Sequence, residues 1–297
     1  MPKSLILPFS GRDYYDGRRT VLLSGDKQEH AFPDRGDTDM NYKIYNNNSD
    51  EWVLLIHGLG GSINTWKYQI RDLTEYNVIA VDLEGHGDSE FEKRQRLLTR
   101  SASEINEVLE NEHIEKVHVI ALSLGTLVAC EFAYLYKEKV ESIVLAGFVL
   151  NMGIGYKSLL AILEGIKYII PKKVFYPVFA NLMMPCKNHK RSRDFFIRES
   201  IKMRSVAFRM WLSELFRTQF RLKEYLNVIQ ENKMPVLFIS GKQDYMFVNS
   251  VKRTQKKISD ASLYFIEKCG HVCSIEKHSE FNNLVVSFLH GVKTNYA

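Results

Sequence analysis

Lys116 to Tyr134 reads Lys-Val-His-Val-Ile-Ala-Leu-Ser-Leu-Gly-Thr and then Leu-Val-Ala-Cys-Glu-Phe-Ala-Tyr, and this stretch constrains the chain more than any other. Val117, Val119 and Ile120 form a short, β-branched apolar run of the kind buried in a parallel sheet. From Leu127 onward the apolar residues recur at helical spacing. Ser123 stands between the two patterns. A serine on a sharp strand-to-helix turn projects its hydroxyl above the sheet, with the free N–H groups of a helix N-terminus behind it. So tight a turn needs small residues two before and two after the serine. Gly125 meets that need, and Ala121 stands where glycine is usual. An ordinary strand, turn and helix with a capping serine satisfies the same pattern, so the rest of the chain has to separate the two.

Taken in order, residues 1–38 are poorly patterned, with Arg19 to Leu23 and Gln28 to Phe32 read as edge strands. Met40 to Tyr45 alternates as a half-exposed strand should, and the turn cluster Asn46 to Asp50 leads into a buried-type strand, Trp52 to Ile56. His57-Gly-Leu-Gly-Gly-Ser62 follows, then a helix from about Asn64. Val78 to Val81 is the next buried strand, ending in Asp82-Leu-Glu-Gly-His-Gly-Asp-Ser89. Ser101 to Glu112 reads as a helix, and Val140 to Ala146 as the strand after the serine helix. Between about Asn151 and Tyr225 the alternation stops in favour of helices, with Pro171, Pro177 and Pro185 as breakers. It resumes with the strands Pro235 to Ser240 and Ser262 to Ile266 and a closing helix from about Ser279 to Leu289. The expected fold class is therefore α/β: a doubly wound, mostly parallel sheet with a helical cap inserted between two strands. The core is assigned to residues 39–150 and 226–297 and the cap to 151–225, over the sheet edge where such folds bind ligands.

A serine hydroxyl is a weak nucleophile until a base takes its proton, and an acid that fixes the base's tautomer makes it better. Later strand ends supply both. Asp244 follows one strand in Gly241-Lys-Gln-Asp244, and His271 follows the next in Cys269-Gly-His271. Serine, acid, histidine is also the chain order associated with this kind of sheet. An attacked carbonyl further needs preorganised donors, for which the backbone N–H groups of Leu59 and Leu124 are the natural pair. His57, Asp82 and His86 are read as loop-shaping residues, and His118 and His278 as structural. Cys269 and Cys273 bracket His271, but a histidine between two cysteines on one loop offers at most three ligands of mixed geometry. Small apolar packing is the better reading, with Cys130 on the buried side of the elbow helix.

These motifs together resemble the α/β-hydrolase superfamily, in its compact esterase- and lipase-like branch, from about Met40 to Leu289. The resemblance implies Ser123 as nucleophile, His271 as general base, Asp244 as its orienting acid, and Leu59 and Leu124 as oxyanion-hole donors. A serine at position 123 disfavours the members whose nucleophile is an aspartate. The substrate is left open among esters, lactones, thioesters, amides and C–C bonds, with some lyases.

The cap is the basic part of the chain. Residues 151–225 hold 15 Lys plus Arg against 5 Asp plus Glu, a net of +10, within a whole-chain charge of only +5. The latter is too mild to argue for nucleic acid. The cap's field would attract an anionic substrate, an acyl-carrier partner or an anionic membrane surface. Its large apolar residues, including Met183, Met184, Trp211, Phe196 and Leu215, suggest an acyl pocket; with Gly58 and Gly60 of the first loop, the two methionines and Trp211 are the expected substrate contacts. Four cysteines in 297 residues do not read as a disulfide framework, and a reducing, cytoplasmic setting is the simpler expectation. No stretch approaches transmembrane length, and no metal or organic cofactor is implied. The expected activity is a serine esterase favouring an apolar acyl chain. Its rivals are a lactone, thioester or acyl-carrier ester hydrolase, a cofactor-free lyase or synthase on the same fold, and a ligand-binding regulator that keeps the triad.

Overall fold

A computed structural model describes residues 19–23, 39–92, 96–150 and 153–296. Its strands are β1 (Arg19–Leu23), β2 (Tyr42–Asn46), β3 (Trp52–Ile56), β4 (Asn77–Val81), β5 (Val117–Leu122), β6 (Val140–Ala146), β7 (Val236–Gly241) and β8 (Ser262–Ile266). They form one sheet in the order β1-β2-β4-β3-β5-β6-β7-β8. All neighbours are parallel except β2 and β4. Every residue of β4, β5 and β7 is buried, as in a sheet covered on both faces. Gln28 to Phe32 lies outside the described residues.

The core helices are α1 (Lys67–Asp72), α2 (Leu97–Asn111) and α3 (Leu124–Leu135). They fall into two packed groups. α2 sits on α3, which lies against β3, β5 and β6, while α1 meets the C-terminal helix. The first of the expected helices opens differently from its pattern: Ser62 caps a single 3₁₀ turn, Ile63–Trp66, before α1 begins.

Between β6 and β7 the chain makes α4 (Ile154–Ile166), α5 (Lys172–Met183), α6 (Lys190–Glu199), α7 (Ser205–Thr218) and α8 (Leu222–Glu231). Two readings of this segment need correction. Pro177 does not break a helix but lies inside α5; Phe175, Tyr176 and Ala180 are buried around it, and their packing outweighs one lost backbone bond. The boundary at 225 also cuts through α8, which is moored on the core. Tyr225 Oη and Arg221 Nη1 both donate to Glu131 Oε2 of α3, at 2.8 and 2.6 Å. After β7 come α9 (Val248–Gln255), then β8, α10 (Cys273–Glu276) and α11 (His278–Tyr296).

Sheet order decides where ligands can sit. From β3 the chain first builds outward to β4 and then crosses to β5 on the other side, so a crevice opens beyond the carboxyl ends of β3 and β5. The loops after β3, β5, β6, β7 and β8 all reach this edge.

Candidate active site

Ser123 occupies the turn between β5 and α3 with φ 53° and ψ −117°, a backbone conformation that L-residues rarely adopt and that tight packing has to hold. The packing is visible at Gly125, where a Cβ would come within 2.4 Å of the Ile56 carbonyl oxygen. Any side chain there would force β3 and the elbow apart. Gly58 lets the β3 loop come equally near, since its Cβ would sit 3.1 Å from that of Ser123.

Ser123 Oγ lies 2.8 Å from His271 Nε2, and His271 Nδ1 lies 2.8 Å from Asp244 Oδ2. Three strand ends far apart in sequence thus deliver one continuous hydrogen-bonded chain. Asp244 is fully buried, and the His271 ring packs against Phe247 at 5.1 Å between centroids. Gly147, at φ +54° just past β6, leaves room for that ring; a Cβ would fall 3.1 Å from its Cε1. Cys269 and Cys273 are wholly buried beside it, and burial pushes both thiols far up.

His57, Asp82 and His86 brace the surrounding loops. The Leu83 N–H donates to His57 Nε2 at 3.0 Å, so the ring carries its proton on Nδ1 and gives it to the Gly58 carbonyl at 2.8 Å. That carbonyl belongs to the same peptide unit as the Leu59 N–H, so the ring fixes the plane in which this N–H points. Complete burial lowers the His57 pKa and keeps the ring neutral. Asp82 accepts from Ile63 N, Asn41 Nδ2 and Asp88 N at 2.7, 2.7 and 3.0 Å, joining three segments of chain.

Above Ser123 lies a cavity enclosing about 730 Å³ of atom-free space, part of it open to solvent. Leu59, Leu124, Ser123 and His271 border it on the core side. α4 contributes Tyr156, Leu159, Leu160 and Leu163, and α5 contributes Tyr176, Phe179, Ala180 and Met183, with Met184 just beyond. Of the expected substrate contacts, Met183 and Met184 line this cavity. Trp211 is not: it does not line the cavity, and its buried indole donates to the Glu84 carbonyl at 2.9 Å. Gly58 and Gly60 shape the adjoining loop rather than the cavity wall.

Sequence reasoning missed the residues that clasp the cap to this site. Tyr176 Oη donates to the Leu59 carbonyl at 2.7 Å, and Ser62 Oγ donates to Glu199 Oε2 at 2.6 Å. On the other side, buried His189 donates from Nε2 to Gln243 Oε1 at 3.1 Å, and Glu276 accepts from Ser192 Oγ and from the Gly270 N–H at 3.0 and 2.7 Å. Cap residues thus reach the loop of Leu59 and the loops that carry Asp244 and His271. Only Gln243, adjacent to Asp244, gave a local hint.

At the carboxyl edge of the sheet, Ser123, His271 and Asp244 thus form one serine–imidazole–carboxylate chain of hydrogen bonds, with the carboxylate buried. A family model described as the alpha/beta hydrolase fold matches residues 51–278. The chain belongs to this family. Among curated relatives, it is 23% identical over 250 residues to a 2-succinyl-6-hydroxy-2,4-cyclohexadiene-1-carboxylate synthase of Bacillus subtilis, covering 82% of this chain and 91% of that one. It is 25% identical over 267 residues to a 2-hydroxy-6-oxononadienedioate/2-hydroxy-6-oxononatrienedioate hydrolase of Escherichia coli, covering 81% and 87%. Its fold is similar to a carboxylesterase from Nitrososphaera (TM-score 0.73, 21% identity, 86% of this chain and 96% of that one). It is similar also to the enol-lactonase of Burkholderia xenovorans (TM-score 0.74, 17% identity, 84% and 96%). No helix among the described residues is long and apolar enough to cross a membrane.

Proposed function

We propose that this chain is a serine hydrolase that cleaves carboxylic esters carrying an uncharged, apolar acyl chain. The observation that carries the reading is the cavity wall. Among its described lining residues there is no lysine or arginine, and apart from Ser123 and His271 the polar side-chain atoms come from two tyrosines. The two curated relatives are named for a carboxylate product and for dioate substrates. A carboxylate taken into a wall of Leu, Met, Phe and Val would lose its hydration without gaining a partner, at a cost of several kcal/mol. The cap's positive charge does not alter this, because none of it faces the cavity.

In this reading His271 Nε2 takes the Ser123 proton as Oγ attacks the acyl carbonyl. Asp244 holds the Nδ1–H tautomer and stabilises the imidazolium. The Leu59 and Leu124 N–H groups receive the developing oxyanion, each worth about 3 kcal/mol of barrier. His271 then protonates the leaving alcohol and later activates the water that releases the acid. A turnover series on p-nitrophenyl esters of increasing acyl length, run beside Ser123→Ala and a fluorophosphonate label, tests this. Turnover peaking at one neutral acyl length and lost in Ser123→Ala is expected. Labelling of Ser123 with no ester turnover, or preference for an acyl chain ending in a carboxylate, would overturn it.

A further inference from the structure

α4 and α5 form a hairpin that is apolar on both sides. The inner face lines the cavity, as described. The outer face carries Ile162, Tyr168, Ile169, Val174 and Val178, all exposed, with Ile169 at 78% and Ile154, at the start of α4, at 87%. Among the described residues of the hairpin the only exposed charged residue is Lys173, with Lys157, Glu164 and Lys172 half-buried. Large apolar side chains gathered in one exposed patch, rather than scattered singly, mark a surface that meets a partner or a membrane. Lys172 donates to the Ser200 and Met203 carbonyls, which brings exposed Ile201 and Lys202 to the same end as Tyr168 and Ile169. Beside the Ser200 and Met203 carbonyls that Lys172 reaches, the cap also exposes Arg198, Lys202 and Arg204.

We propose that the outer face of the α4–α5 hairpin docks on an anionic lipid surface, its aliphatic side chains entering the headgroup and acyl boundary while the surrounding lysines and arginines meet lipid phosphates. Three observations select this occupant. A second copy would bring one cap of net charge +10 against another. A protein partner would ordinarily engage a hydrogen bond for every 100–200 Å² or so, and here Ser158 and Asn181 spend their donors on their own helix carbonyls, leaving Tyr168 and Lys173 among mainly aliphatic groups. α4 and α5, of 13 and 12 residues, suit lying in an interface rather than crossing it. The same two helices form the cavity wall, so docking would set the cavity's cap side against the lipid. The inference concerns binding and does not depend on the ester reading.

The test is flotation of the full chain with vesicles of phosphatidylcholine, with and without phosphatidylglycerol, for wild type and for the triple variant Ile162→Ser, Ile169→Ser, Val174→Ser. All three positions are exposed, so the variant should keep its thermal transition and its turnover of a short soluble ester. Wild type should float with the anionic vesicles and far less with the neutral ones, and the variant's partition should fall about tenfold or more. Wild type that stays unbound, or a variant that binds as wild type does, overturns the proposal. So does a concentration-dependent dimer that the triple variant abolishes, which would assign the face to a second copy.

Discussion

Tyr176→Phe isolates one atom of the cap's hold on the active site. The phenol is buried, and its hydroxyl donates to the Leu59 carbonyl at 2.7 Å. Burial pushes the phenol pKa far up, so it remains a donor at any working pH. Phenylalanine keeps the ring that lines the cavity and removes only the hydroxyl, leaving the Leu59 carbonyl without that donor. An orphaned buried carbonyl costs about 1–3 kcal/mol. Leu59 carries that carbonyl in its peptide unit with Gly60 and the proposed oxyanion N–H in its unit with Gly58, so relaxation of the residue to rehydrate the carbonyl would misplace the donor and raise the barrier more than it weakens binding. At about 1.4 kcal/mol per tenfold, kcat should drop about five- to hundredfold while KM for an apolar ester stays close to that of wild type. Steady-state kinetics on one p-nitrophenyl ester measures both, with thermal unfolding alongside. Gly60→Ala should reproduce the effect, since its Cβ would fall on the Tyr176 hydroxyl at 2.2 Å from a backbone already at φ +74°. A kcat within about twofold of wild type for Tyr176→Phe would refute the reasoning, because the hydroxyl would then be holding nothing the reaction uses.

Asp244→Asn should leave the melting curve nearly unchanged and lower kcat about 10³–10⁴-fold, because an amide facing His271 Nδ1 favours the wrong tautomer; turnover near wild type would place the acid elsewhere. Ser123→Gly should abolish turnover yet gain about 1 kcal/mol in urea denaturation, since glycine relieves the φ of 53° at the elbow; an unchanged or lower midpoint would show that the turn is not strained. Burial lifts the Glu84 carboxyl from 4.5 to about 7, against the pull of Arg100. A carboxyl raised in the folded state contributes stability that is complete below its unfolded pKa and is lost as pH rises through the folded one. Wild type should therefore lose thermal stability relative to Glu84→Gln between about pH 5 and pH 8, and parallel melting profiles would contradict this.

Strand positions were legible wherever the pattern was local. β1, β3, β6 and β8 have the limits read from the sequence, and the other strands shift by a residue or two, because a buried parallel strand is a continuous β-branched or apolar run between turn residues. α9 and α10 went unread, being short and weakly patterned. Ser123, Asp244 and His271 were singled out by one rule, reactive residues just past strand ends, and the fold links them through His271, which lies 2.8 Å from each of the other two. Tyr176 and Glu199 could not be found that way, since each meets its partner across more than a hundred residues of chain.

Trp211 marks the boundary between the two kinds of information. The sequence made it an expected substrate contact as one large apolar residue of the cap, and the fold sets it on the Glu84 carbonyl rather than in the cavity. By itself the sequence determined the α/β alternation, the elbow at Ser123 and the order of the candidate acid and base, because turns and strand ends are encoded by neighbouring residues. Tertiary structure alone decided which side of each cap helix meets the cavity and which is left outward. Large apolar residues stand on both sides of these helices, so their spacing did not say which side turns inward, and only the packing of α4 and α5 over the carboxyl edge of the sheet could choose.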